Sequence, residues 1–298
     1  MTAYSSSSVP VVLAPLRGVT IRCFRRVFAE PIEAAGFNEA ITPFVAANAG
    51  CDPLKDRELS ASSPGECFGR GFKVTPQFIG KDPEALRSCL ERIRQAGYDT
   101  ADLNCGCPFP MVRNKFRGSG ILQTPEVLEK MLAVGCEVMG VGRFSIKARL
   151  GVARNDELLA LMPMINSYPL RFLTVHARNA KQMYDGECDA AAYGKVLAAA
   201  KVPVVYNGDA AIGDAAEHPG GIMVGRSFIR SLACREDIGE LLAAYIDASR
   251  EELSGERAVL GRMKELLAYW KDIGRWRRRW QVVKITRTLD ELRAAALD

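Results

Sequence analysis

From residue 9 to about residue 235 the chain alternates two patterns. Short apolar runs rich in β-branched residues predict strands at 11–14, 40–45, 73–79, 100–104, 144–149, 172–177, 203–207 and 221–224. Between most of them, apolar residues recur every three or four positions and predict helices. The clearest helix spans 82–97, where Asp82 and Pro83 open the pattern and Gly97 closes it. Thr124-Pro125-Glu126 opens another, with Pro at the first helical position. Residues 156–165 and 190–200 read the same way, whereas the link at 210–220 is too short for a full helix. Eight strands alternating with helices predict an α/β chain folded as a (β/α)8 TIM barrel. A doubly wound open sheet is the competitor, but the Gly-x-Gly-x-x-Gly turn that favours it is absent. Beyond residue 238 the strand signals stop, and 240–249, 257–271 and 283–297 read as helices broken near Gly255 and Gly274. The expected organisation is a barrel over 1–237 and a small helical domain over 238–298.

Within the strands, side chains alternate faces. Leu173, Val175 and Ala177 form one face of the sixth strand, and Phe172, Thr174, His176 and Arg178 the other. In the fifth, Ser145, Lys147 and Arg149 oppose Ile146, Ala148 and Leu150. Asp102 and Asn104 share a face in the fourth, Thr75 and Gln77 in the third, and Val205, Asn207 and Asp209 in the seventh. Five strands thus turn polar groups toward the barrel axis, mostly near their C-terminal ends. Burying unpaired charge costs several kcal/mol, roughly, even after relaxation. A polar ligand at the C-terminal mouth explains the pattern economically. An internal salt bridge of Asp102 with Lys147 or Arg149 is the structural alternative. Gly225-Arg226-Ser227, after the eighth strand, is placed to bind phosphate through backbone N–H groups.

The fourth strand runs into Asn104-Cys105-Gly106-Cys107-Pro108. Cys105 continues the outward apolar face and reads as a packed thiol. Cys107 falls in the loop at the mouth, where a reacting thiol belongs, and His176 is available as a Cys–His partner. Residues 109–120 carry Arg113, Lys115 and Arg117 among glycines, suiting either a lid over an anionic substrate or an ordinary solvated loop.

Composition narrows the class. Apolar residues at 48% and charged residues at 25% are those of a globular protein, which excludes disordered and collagen-like chains. Nine scattered cysteines suit reduced thiols, and with two histidines no structural zinc or other metal site is expected. No basic residue precedes Arg17, as a signal peptide requires, and no stretch is apolar enough for a membrane span, so a cytoplasmic protein is expected. The net charge is +5, yet residues 271–288 hold seven basic residues against one acid, leaving the other 280 residues at −1. Trp270, Trp276 and Trp280 lie in or beside this segment. Basic residues interleaved with aromatics suit a phosphate backbone and exposed bases; the alternative is a solvated helix whose tryptophans pack on the main body.

The motifs, taken together, resemble the tRNA-dihydrouridine synthase family. They are Leu13-Ala14-Pro15-Leu16-Arg17-Gly18-Val19-Thr20, Pro76-Gln77, the run from Asp102 to Pro108, Lys147-Ala148-Arg149-Leu150-Gly151, His176-Ala177-Arg178 with Gln182, Tyr184 and Gly186, Asn207-Gly208-Asp209, and Gly225-Arg226. They follow the family order, with Leu16 where Met is usual, Ile21 where Asp is common, and a short segment after Asp209. The resemblance implies FMN on Pro15, Leu16, Arg17, Gln77 and Lys147, and on His176, Asn207, Gly208, Asp209, Gly225 and Arg226. It implies Cys107 as the catalytic acid, with Asn104 and Arg178 on the substrate side. It implies NADPH as reductant and tRNA as substrate, held by Arg113 and Lys115 of the lid and by Arg275, Arg277, Arg278 and Arg279. No protein partner is called for, and a monomer is expected.

Overall fold

In the computed structural model, residues 9–59 and 72–297 are described; a serine run at 5–8 lies outside them. Ten short parallel strands form one sheet. They are β1 (Val11–Leu13), β2 (Glu39–Ile41), β3 (Val45–Ala46), β4 (Lys73–Thr75), β5 (Gln77–Ile79), β6 (Ala101–Cys105), β7 (Phe144–Gly151), β8 (Leu173–Asn179), β9 (Val204–Asn207) and β10 (Ile222–Val224).

The second expected strand is split around Pro43 and the third around Pro76. Proline has no N–H to give a ladder. β2 and β3 are therefore halves of one stave, and β4 and β5 of the next: β2 pairs with β4, and β3 with β5. At the break, Thr42 N donates to Thr75 O at 3.0 Å, and Gln77 N donates to Thr42 Oγ1 at 3.0 Å. Because β5 leads through β6 to β10 and on through β1 to β2, eight staves close on themselves as a (β/α)8 barrel.

The helices are α1 (Arg22–Val27), α2 (Ala29–Ala34), α3 (Pro83–Gln95), α4 (Pro110–Arg113), α5 (Pro125–Met139), α6 (Glu157–Ile165), α7 (Ala190–Ala199), α8 (Arg226–Ser231), α9 (Ile238–Glu252), α10 (Glu256–Leu267), α11 (Trp276–Val283) and α12 (Leu289–Leu297). Asp82 caps α3 by accepting from the N–H groups of Glu84 and Ala85 at 3.0 and 3.3 Å. α5 lies close on β7: a Cβ at Gly135 would fall 2.1 Å from the Phe144 ring. The outward residues Leu103, Cys105, Ile146, Ala148, Leu173, Val175 and Ala177 share one apolar cluster with α3, α5, α6 and α7.

A second apolar cluster joins β1, α1, α2 and α8 to α9 through α12. Phe24 and Phe28 stack, and Tyr245 of α9 meets both rings edge-on. Trp270 and Trp276 are buried and donate their indole N–H groups to Ile229 O and Ala233 O at 2.6 and 2.9 Å. Of the two readings of this segment, packing on the main body is the one that holds for Trp270 and Trp276. Two of the three rings fasten the C-terminal helices to the barrel, and Arg275 and Arg279 lie over the Trp276 ring. The helix expected over 283–297 begins only at Leu289, because Val283 ends α11 and Thr288 caps the next turn through Glu291 N.

Candidate active site

The barrel interior is layered from floor to mouth. At the floor, Arg171 donates two hydrogen bonds to Glu39 at 2.6 and 2.7 Å, and Glu39 also accepts from Thr75 Oγ1 at 2.5 Å. Val12, Ile41, Phe172, Val205 and Met223 fill the adjoining space.

The next layer is polar. Asp102 accepts from Ser145 Oγ at 2.6 Å and from Gln77 Nε2 at 2.7 Å, and Gln77 Oε1 accepts from Asn104 at 2.8 Å. The salt-bridge alternative fails here: among the described residues Asp102 pairs with neither Lys147 nor Arg149. Burial pushes the Asp102 carboxyl up to about 6, against the lowering pull of Ser145 and Gln77.

Above it lie Lys147, Arg149 and His176. Lys147 Nζ donates to Asn207 Oδ1 at 2.8 Å, and Asn207 in turn donates to Met223 O. Burial, helped by the charge on Arg149, brings the Lys147 ammonium down to about 7. Arg149 spends its donors on the carbonyls of Gly106, Asn179 and Met183, at 2.9, 2.9 and 2.6 Å, and is brought down to about 10 by burial. It thereby ties the Cys107 loop to the loop after β8. Burial and the surrounding cations hold His176 well below the usual imidazole range. The guanidinium of Arg178 can only donate, so His176 Nε2 accepts from it at 3.3 Å. Arg178 also pairs with Asp209, which Arg226 reaches at 2.6 Å. Tyr184 lies under the guanidinium groups of Arg149 and Arg226.

The Cys107 backbone is held on both sides. Its N–H donates to Asn104 Oδ1 at 2.8 Å, and its carbonyl accepts from Ser119 N and Oγ at 3.0 and 2.9 Å. Gly118, at φ +56°, comes so near that a Cβ there would fall 2.7 Å from Cys107 Cβ. Cys107 is 8% exposed, and burial raises its thiol pKa, which keeps the thiol uncharged at neutral pH. Among the described residues no hydrogen bond links it to His176, so the Cys–His nucleophile pair is not formed.

A cleft of about 820 Å³ opens above these groups. Pro15, Leu16, Arg17, Asn104, Cys107 and Lys147 line it, as do His176, Asn207, Gly208, Gly225 and Arg226. Its lining carries five cationic side chains and a single carboxylate, Glu265. Arg178 and Asp209 instead line an adjoining cavity of about 750 Å³ that shares Tyr184, Gly208, Arg226 and Tyr269 with the first. Gln77 lies a layer deeper, fully buried. Arg113 and Lys115 stand outside the cleft wall, and Arg275, Arg277, Arg278 and Arg279 lie on α11 and the turn before it, away from it. Arg279 is half-buried and donates to Ala296 O, while the other three are exposed. Phe44, Arg262, Glu265 and Tyr269 line the cleft without having been anticipated. Arg262 and Glu265, three apart on a helix, carry the sequence signature of any solvated salt bridge.

Eight closed staves with a cation-rich cleft at their C-terminal ends define a barrel of the enzyme type, its cleft suited by charge to an anionic ligand. Residues 12–231 match the family model described as dihydrouridine synthase, and the chain belongs to that family. It is 26% identical over 200 residues to tRNA-dihydrouridine synthase B of Vibrio cholerae, a match covering 67% of this chain and 59% of that protein. It is 27% identical over 205 residues to the protein of that name from Escherichia coli K12, covering 67% of this chain and 60% of the relative. A probable tRNA-dihydrouridine synthase of Rhodobacter capsulatus is 29% identical over 237 residues, covering 73% and 67%. The chain thus spans about three fifths of the length of the first two relatives. Among solved structures, morphinone reductase in complex with tetrahydroNAD superposes with a TM-score of 0.53 at 14% identity, covering 76% of this chain and 85% of that one. An old yellow enzyme homologue from Zymomonas mobilis gives 0.56 at 12% identity, covering 74% and 85%. These two likenesses concern the fold. Among the described residues no helix is long and apolar enough to cross a membrane, and no cluster of metal-ligating side chains occurs.

Proposed function

We propose that the protein reduces the C5=C6 bond of a uridine in tRNA, using FMN and NADPH, with Cys107 as the proton donor. The observation that carries this reading is the position of a neutral, nearly buried thiol in the wall of a cleft with five cations and one carboxylate. The cleft fits a flavin mononucleotide on two counts. Lys147 and Arg149 meet no carboxylate among the described residues, so an anionic ring edge gives them the partner they lack. Gly208 and Gly225 line the cleft where protein packing already excludes a side chain, since a Cβ would meet Cys188 Sγ at 2.6 Å or Ala14 at 3.1 Å, so only backbone faces the ligand there. Lys147, Arg149, Asn207 and Arg226 would hold FMN there, and the chemistry it would supply is hydride, drawn from NADPH, for C6 of the pyrimidine.

The chain's own residues do the rest. Asn104 fixes the Cys107 loop through Gly106 N and Cys107 N while remaining in the cleft wall to face the base. Cys107 Sγ delivers a proton to C5 as general acid. Lys147 stabilises negative charge beside Asn207. Arg226, oriented by Asp209, would meet the FMN phosphate, and Arg178, paired with the same carboxylate, stays on the substrate side. The uridine leaves its stack to enter, while Arg113, Lys115 and the exposed cations of 271–288 hold the RNA backbone. On this reading residues 1–237 carry the chemistry and 238–298 the tRNA, and the enzyme works as a cytoplasmic monomer.

Nucleoside analysis of tRNA from a strain lacking the protein tests this directly. One tRNA position should lose its dihydrouridine, and a full complement at every position overturns the reading. Purified protein should be yellow, with a flavin absorption spectrum.

A further inference from the structure

α10 places Arg262 and Glu265 three apart on one helix face, Tyr269 follows in the 3-10 turn beyond its end, and all three line the cleft. Arg262 Nη1 donates to Glu265 Oε2 at 2.8 Å. The pair sits directly on Gly18, where φ is +81° and a Cβ would fall 2.2 Å from Arg262 Nη1 and 2.4 Å from Glu265 Oε2. Only glycine allows this approach. The next residue back is Arg17, exposed at the same cleft, with its guanidinium 5.7 Å over the Phe44 ring and no carboxylate partner among the described residues. Arg262 Nε is buried and has no acceptor. Two guanidinium forks, one from the barrel and one from the C-terminal helices, therefore flank Gly18 at the rim, with Glu265 the only carboxylate lining the cleft among the described residues.

We propose that Arg17 and Arg262 form a clamp for the RNA phosphodiester beside the target uridine, a site that rests on the tRNA-reducing function proposed above. The planar, two-donor face of guanidinium matches a phosphate better than an ammonium does. Continuity selects RNA over a dinucleotide reductant. From the clamp the track passes Arg230 and Lys271 of the adjoining cavity, beside Asp185 and Asp209, and Lys271 opens the basic run at 271–288. A long polyanion uses that whole track; a small reductant uses one end of it.

Steady-state kinetics with tRNA as the varied substrate tests the clamp. Arg262→Ala should raise the KM for tRNA about tenfold, with kcat at saturating tRNA changed by less than about threefold, and Arg17→Ala should raise the KM for tRNA by a similar factor. Each should make the plot of log(kcat/KM) against log salt shallower by about one. Arg262→Lys should recover part of the loss. Glu265→Gln should keep or lower the KM for tRNA, because it frees the guanidinium. If Glu265→Gln costs as much as Arg262→Ala, the pair is structural and the clamp is wrong. Loss of flavin from Arg17→Ala, or a raised KM for NADPH in either alanine variant measured without tRNA, assigns the arginines to cofactor or reductant and overturns it as well. If the native protein makes dihydrouridine and Arg262→Ala matches it at every salt concentration, the clamp alone falls. A native protein that binds no tRNA overturns the clamp together with the function beneath it.

Discussion

At the floor of the barrel Arg171 meets Glu39 with two hydrogen bonds, and the carboxylate takes a third from Thr75. At the mouth, among the described residues, Lys147 and Arg149 face the cleft with no carboxylate partner, and only Asp209 answers Arg178 and Arg226 nearby. Both ends bury charge inside the same ring of strands. The floor resolves it internally, as a structure that only needs to be stable does. The mouth leaves positive charge unanswered, and the depressed Lys147 ammonium registers what that costs. Charge left unpaired at one end and paired at the other marks where a ligand belongs.

The largest expected effect falls on the mouth. Cys107→Ala should slow uridine reduction by about 10²–10⁴-fold while flavin binds and is reduced by NADPH as before; stopped-flow absorbance of the two half-reactions separates them. Full turnover in this variant removes Cys107 from the chemistry. The matching change at the floor is Arg171→Met. It strands Glu39, which is 2% exposed, and should cost about 2–4 kcal/mol in urea unfolding, less than a fully buried pair because Arg171 is part-exposed. Flavin content per folded molecule should not move. If it falls, floor and mouth are not separate in function.

Lys147→Met should act in the opposite sense on stability. The folded pKa of Lys147 lies near 7, below its unfolded value, so the unfolded chain holds more protons between about pH 7 and 10. Native flavin-free protein should therefore gain stability as pH rises through that window. The variant should be more stable than native by about 2 kcal/mol near pH 6, converge with it above pH 10, and retain less flavin. A variant less stable than native at pH 6 means that Lys147 already has its counter-charge within the chain. The smallest effect concerns Asp102, whose folded pKa is raised to about 6. Here the folded chain holds more protons, and stability should fall as pH rises from about 4 to 6. Asp102→Asn, which removes the carboxylate, should flatten that part of the profile by about 1–2 kcal/mol, read from melting temperature against pH.

Much of this was legible along the chain, because it depends on local periodicity. Strand alternation separated Leu173, Val175 and Ala177 from Thr174, His176 and Arg178, and the barrel keeps them on opposite faces. Asp82, Pro83 and Gly97 marked the limits of α3 to within two residues. Partners between distant segments were not legible. Asp102 chooses Gln77 and Ser145 over the cations, and Trp270 and Trp276 choose backbone carbonyls of the segment after β10 over solvent. The tryptophans left two readings open because the spacing of aromatics among arginines is the same whether the rings face RNA or a core.

The sequence by itself determined the alternation of strands and helices, the side of each strand that turns polar, and the loop that carries Cys107, since each follows from the chemistry of a few consecutive residues. The tertiary structure alone decided which charges are answered, how far Lys147 and Asp102 are driven from their ordinary pKa values, and that Arg262 and Glu265 of a distant helix share the rim with Gly18. Those properties depend on desolvation and on distances between groups far apart in the chain, and both exist only once the barrel has closed and the C-terminal helices have packed against it.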